Sequence, residues 1–93
     1  MGKYIIEYTE NAIKELQKHK KDGNQATIKK INAILSDLET TPFLGVGKPE
    51  ALKNNLLGFW SRRINLKDRM IYSVNENIVT VTVVSAIGHY NDK

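Results

Sequence analysis

Cysteine is absent from the 93-residue sequence. No disulfide can staple this chain, and no thiolate can serve as nucleophile or zinc ligand. Histidine is scarce: His19 and His89 are the only two, too few for a histidine-based metal site, so neither metal nor cofactor is expected. Long apolar runs are missing as well. Residues 1–8 alternate in character and carry Lys3 and Glu7, with no stretch of signal-peptide or membrane-span length. A soluble, cytoplasmic chain with no membrane partner is therefore expected. Familiar catalytic signatures are also lacking. There is no GxxxxGK[ST] phosphate loop, no GxGxxG, no HExxH and no GxSxG, which argues against P-loop nucleotide hydrolysis and zinc hydrolysis. The acidic residues are scattered, without the cluster that a two-metal nuclease needs.

What is present has globular composition. Apolar residues make up 41%, and no low-complexity segment, linker or internal repeat interrupts the chain. Residues 1–93 are expected to form one domain with a modest core, burying roughly 60–65% of the unfolded surface. Fourteen Lys and Arg against ten Asp and Glu leave a formal charge of +4. A small basic domain attracts nucleic acid, although the same balance also fits a soluble protein that is merely basic.

Hydrophobic periodicity gives the order of elements. Residues 3–8 alternate as a strand. Thr9 is placed to cap a helix over 10–20, with Glu10 in its first turn and Ala12, Ile13 and Leu16 as its apolar stripe. Lys18, His19, Lys20 and Lys21 close that helix, where cations favour the dipole. After the Asp22-Gly23-Asn24 break, Ile28, Ile31, Ile34, Leu35 and Leu38 recur at helical spacing over 25–38. Pro42 and Pro49, the only two prolines, bracket a loop that also holds Gly45 and Gly47. From Gly58 the period becomes two: strands at 59–64, 69–74 and 78–87, joined by turns at 65–68 and 75–77. The fold class is α+β, with a strand and two antiparallel helices packed on a mainly antiparallel sheet completed by a three-stranded meander.

The residues with chemical potential are few. Glu50 lies in the proline-bracketed loop, Arg62, Arg63 and Arg69 flank the first meander turn, and His89 and Tyr90 follow the last strand. Each also has a plain reading. Glu50 and His89 fit solvated surface groups, Tyr90 fits a packing aromatic, and Trp60 fits the core as well as a base-stacking platform. Arg62 and Arg63 are consecutive, so in a strand only one of them faces a given side. Simple pairing across 75–77 sets Val83 opposite Arg69. That leaves His89 six residues further on, about 20 Å along an extended strand, so a bulge or a returning tail is needed to bring it back.

Four stretches together resemble the YoeB/Txe branch of the RelE-like toxins. Residues 41–53, TPFLGVGKPEALK, resemble the family's TPFxGxGKPExLK. Residues 55–64, NLLGFWSRRI, resemble its NLxGxWSRRI strand, and 68–72, DRMIY, its [HD]R[LM][VI]Y strand. Residues 88–90, GHY, resemble its terminal HY, with Asn91, Asp92 and Lys93 added beyond. The resemblance implies a RelE-like, microbial-ribonuclease-type fold. It also implies a toxin that cuts mRNA in the A site of the 70S ribosome and is neutralised by a YefM-like antitoxin, with a homodimer as a further possible assembly. On the matching positions it implies Glu50 as general base, His89 as general acid, Arg69 as phosphate stabiliser and Tyr90 as substrate-positioning residue, with Lys53 and Arg63 contacting RNA. The alternative on the same scaffold is a non-catalytic, ParE-like toxin that binds DNA gyrase, because fold alone does not settle function.

Overall fold

The structure is a computed structural model and describes residues 3–88. The expected acid His89 and its neighbour Tyr90 lie outside the described residues.

Strand β1 (Ile5–Tyr8) leads into helix α1 (Glu10–Asp22). The Thr9 Oγ1 accepts from the Ala12 N–H at 3.1 Å and so satisfies one of the free donors of the first turn. The helix runs two residues past the expected end at residue 20 because its stop is Gly23, in the left-handed region at φ 74°, whose N–H returns to His19 O. Asn24 then caps helix α2 (Gln25–Leu38), its Oδ1 accepting from Thr27 N. Ile31, Ile34 and Leu38 are buried, as their spacing predicts. Ile13 is a correction: it stands 45% exposed, so the buried stripe of α1 runs through Ala12 and His19 instead.

The remaining strands are β2 (Glu50–Ala51), β3 (Phe59–Arg63), β4 (Arg69–Asn75) and β5 (Thr80–Ser85), with a short 3-10 turn at Asn54–Leu56. They form one five-stranded sheet in the order β1-β5-β4-β3-β2. The meander pairs are antiparallel, as is β2 with β3, while β1 lies parallel to β5. Strand β2 was expected to be loop; Glu50 instead faces Ser61 across a ladder. The last strand is shorter than 78–87 because Glu76 to Val79 form the turn, closed by Asn75 Oδ1 accepting from Asn77 N.

That longer turn corrects the register. Val83 faces Tyr72 rather than Arg69, and a bulge between Ile71 and Tyr72 shifts it further, so that Ile71 faces Ser85. The result is that Arg69 N donates to Gly88 O at 3.0 Å. Gly88 thus lies beside Arg69 instead of several residues beyond it.

Both helices cover one face of the sheet. The core gathers Ala12, Ile31, Ile34 and Leu38 against Ile64, Met70, Tyr72, Val81, Val83 and Ala86. Leu52 and Ile71 are also buried but stand apart from that cluster. Among the described residues no helix is long and apolar enough to cross a membrane.

Candidate active site

Side chains alternate across a sheet, and directly paired residues share a face. Arg62 pairs with Met70 and Trp60 with Tyr72, on the helix-covered side. The other face therefore carries the row Glu50, Ser61, Ile71 and Ser85, and beside it the pair Arg63 and Arg69. Three of the expected site residues, Glu50, Arg63 and Arg69, thus share one face free of helices.

Strand spacing sets their separation. Glu50 and Ile71 lie two strands apart, and Arg69 is two residues from Ile71 along β4. With about 4.8 Å between strands and about 3.4 Å per residue, the Glu50 and Arg69 Cα atoms stand roughly 12 Å apart. Side chains of glutamate and arginine length reach into such a span from opposite sides and leave room for a phosphodiester.

The electrostatics of this face are unfavourable as they stand. Arg63 and Arg69 are direct cross-strand partners, and like charges so placed repel. Arg69 Nη1 is buried and has no hydrogen-bond partner among the described residues. The adjacent Asp68 does not supply one. Its Oδ1 accepts from Gly88 N at 2.9 Å and its Oδ2 from Asn65 Nδ2 at 3.1 Å. Burial alone would raise the Asp68 pKa, but the bond from Gly88, the bond from Asn65 and the fields of His19 and Lys67 outweigh it and hold the carboxyl below its ordinary value. A buried guanidinium nitrogen without an acceptor is costly unless an anion fills the gap.

Lys53 is exposed but lies elsewhere along β3. Leu52 N bonds Phe59 O, so residue 53 falls at the end of the strand away from Arg63. Lys53 and Arg63 therefore flank Glu50 from opposite sides rather than forming one cluster.

The chain that leads into Glu50 is held by Arg62, which is fully buried. Its Nε donates to Tyr72 Oη at 3.1 Å, Nη1 to Asp37 Oδ2 and Val46 O, both at 3.1 Å, and Nη2 to Thr41 O at 2.6 Å and Leu44 O at 2.8 Å. All five guanidinium donors are used, two of them on the backbone of the proline-bracketed loop and a third on Thr41 O just ahead of it. Tyr72 Oη in turn donates to Pro42 O at 2.7 Å. Burial raises the Tyr72 pKa, against the opposing bond and charge of Arg62, so the phenol keeps the proton it donates. Phe43 adds an apolar anchor, its ring 4.9 Å from that of Trp60. Trp60 thus packs at the core, in line with its plainer reading.

Two glycines allow the loop this close approach. A Cβ on Gly45 would run into the Asp37 carboxylate, and one on Gly47 would sit 2.9 Å from Arg63 O. Gly47 and Lys48 are both left-handed, at φ 86° and 53°, and turn the chain into Pro49 and Glu50. A positive φ at a lysine is uncommon and costs about 1 kcal/mol or more. The clamp role of Arg62 was not foreseen from sequence. The usable signal was parity: Arg62 alternates in register with Trp60 and Ile64, both apolar.

The chain is similar to known toxins along most of its length. The profile of a family described as YoeB-like toxin of bacterial type II toxin-antitoxin system matches residues 8–90. A toxin YoeB of Escherichia coli O6:H1 is 47% identical over 60 residues, covering 64% of this chain and 71% of that protein. A YoeB/ParE toxin from Agrobacterium tumefaciens superposes with a TM-score of 0.83 at 30% identity, covering 92% of this chain and 99% of that one. A toxin in a heterotetrameric YoeB-YefM toxin-antitoxin complex from Staphylococcus aureus superposes with a TM-score of 0.76 at 34% identity, covering 94% and 98%.

Proposed function

Because the chain belongs to the YoeB-like toxins of bacterial type II toxin-antitoxin systems, we propose that it is an endoribonuclease that cuts mRNA by transesterification without a metal ion. The observation that carries this reading is the Arg63–Arg69 pair with its orphaned, buried Nη1, on the same sheet face as Glu50. That arrangement suits an anion between the arginines and a carboxylate within reach of the group beside it.

The reaction needs few parts. The ribose 2′-OH lies beside its own phosphate, so the nucleophile is intramolecular. Glu50 takes its proton as the oxygen attacks phosphorus. Arg69 donates to the phosphoryl oxygens as charge develops on them. His89 gives a proton to the departing 5′-oxygen, a task suited to a group with an ordinary pKa of about 6.5. The products are a 2′,3′-cyclic phosphate and a 5′-hydroxyl. Tyr90 positions the substrate, and Arg63 and Lys53 hold flanking phosphates. The roles of His89 and Tyr90 are carried by the family motif, since both lie outside the described residues.

The substrate in this reading is mRNA in the A site of the 70S ribosome. The regulator is a YefM-like antitoxin, by analogy with the Staphylococcus aureus complex, and a second copy of the chain is a further partner. An acidic segment suits a basic face of this kind.

Mapping RNA ends on stalled ribosomes and on free mRNA tests the proposal. Cuts at the A-site codon that end in a cyclic phosphate, and that vanish in a folded Glu50→Gln protein, are the expected result. Folded wild-type protein that cuts neither substrate would overturn it and make DNA gyrase the next target.

A further inference from the structure

Beyond Ser85 the chain leaves β5 and its regular ladder. Here it is tied down on several sides. The N–H groups of Ala86 and Ile87 both donate to Glu15 Oε1, at 2.6 and 2.9 Å. Ala86 O lies 2.7 Å from His19 Nε2, and because a carbonyl only accepts, that nitrogen carries the proton. Gly88 N donates to Asp68 Oδ1, and Gly88 O accepts from Arg69 N.

The holding groups come from two separate places. Glu15 and His19 are four residues apart on one face of α1, and Asp68 lies in the turn between β3 and β4. His19 and Asp68 are both buried. Neither a buried histidine nor a buried aspartate is needed to fill an apolar core, and each side chain here is directed at backbone between Ala86 and Gly88. The contacts to Glu15 and Asp68 are bonds to carboxylates, the stronger kind.

We infer that Glu15, His19 and Asp68 are positioning residues: they fix the point and direction at which the chain leaves the sheet beside Arg69, one residue ahead of the proposed acid. This rests on the ribonuclease reading, because it gives the clamp something to position. None of the three touches substrate. They act through the backbone, in the way that a displacement of about 1 Å at a catalytic group costs on the order of 10²-fold in rate.

Glu15 separates placement from charge. Glu15→Asp keeps the charge but draws the acceptor back by one methylene. Glu15→Gln loses the charge and keeps an oxygen where both N–H groups reach it. The assay is cleavage of ribosome-bound mRNA, with kcat and KM resolved, alongside amide exchange at Ala86 and Ile87. The expected result is a kcat lower by about 10²-fold in Glu15→Asp, with KM within about threefold of wild type and faster exchange at both amides. Glu15→Gln is expected to keep kcat within about fivefold of wild type. Wild-type kcat in Glu15→Asp would overturn the inference, as would a loss in Glu15→Gln equal to that in Glu15→Asp. The ribonuclease reading fails differently, by the absence of cleavage in the wild-type protein itself.

Discussion

Replacing Arg62 by lysine keeps a positive charge and removes the fork. Arginine delivers five N–H donors in a fixed plane, whereas lysine offers three from a single point. Five acceptors depend on Arg62, and three of them are backbone carbonyls at Thr41, Leu44 and Val46. A lysine ammonium leaves at least two of the five without a donor. An abandoned buried acceptor costs about 1–3 kcal/mol, and because most of these bonds are only part-buried, Arg62→Lys is expected to lose about 2–4 kcal/mol. A domain of this size holds about 5–14 kcal/mol in all, at 0.05–0.15 kcal/mol per residue, so the protein remains folded but is weakened. An apolar replacement offers no escape. A buried ion pair can often be exchanged for apolar groups at little cost, but backbone carbonyls cannot be mutated away. Urea denaturation gives the stability change, and amide exchange over 41–49 shows whether the loss is local. Because that loop leads directly into Glu50 of β2, the proposed cleavage should fall alongside. A change under about 1 kcal/mol, with loop exchange and cleavage both intact, would refute the idea that Arg62 organises this loop.

Three further outcomes follow from the same geometry. Gly45→Ala forces a Cβ into the Asp37 carboxylate at φ 120°, and is expected to cost about 2–4 kcal/mol through strain and the displaced Arg62–Asp37 pair; denaturation within about 0.5 kcal/mol of wild type would argue against the close approach. Asp68 has its pKa held below the ordinary 3.8, so its contribution to stability is complete above that value and is lost as pH falls through the lowered one. The stability gap between wild type and Asp68→Asn should therefore stay level near neutrality and close in strong acid, and a gap that persists unchanged at about pH 2 would contradict the lowered value. Arg63 is exposed on the candidate face, and if it holds a phosphate as proposed, Arg63→Ala should reduce the slope of log affinity for single-stranded RNA against log salt by about 0.7; an unchanged slope would remove Arg63 from the proposed RNA contacts.

The sequence by itself determined most of the elements and the family of this protein. Helical spacing of Ile31, Ile34 and Leu38 specified a buried face, Thr9 and Gly23 marked the ends of α1, and period-two alternation from Gly58 specified the meander, because these signals are local and depend on neighbours a few residues away. The four motif stretches were equally legible and pointed to the toxin family. What only the tertiary structure decided are relations between distant residues. Parity could place Arg62 on the apolar side, but not disclose that its five donors meet groups between residues 37 and 72. Strand β2 is two residues long, too short for any periodicity, and exists because β3 offers an edge to pair with. The meander register depended on a four-residue turn and a bulge, and a slip of a few residues there decides whether Gly88 meets Arg69 or lies far beyond it. His19 looked like one of a run of helix-terminal cations, yet it is buried against Ala86. The turn apart, the deciding partner lies far off in sequence, and hydrogen bonds between such groups form only once the sheet has brought them together.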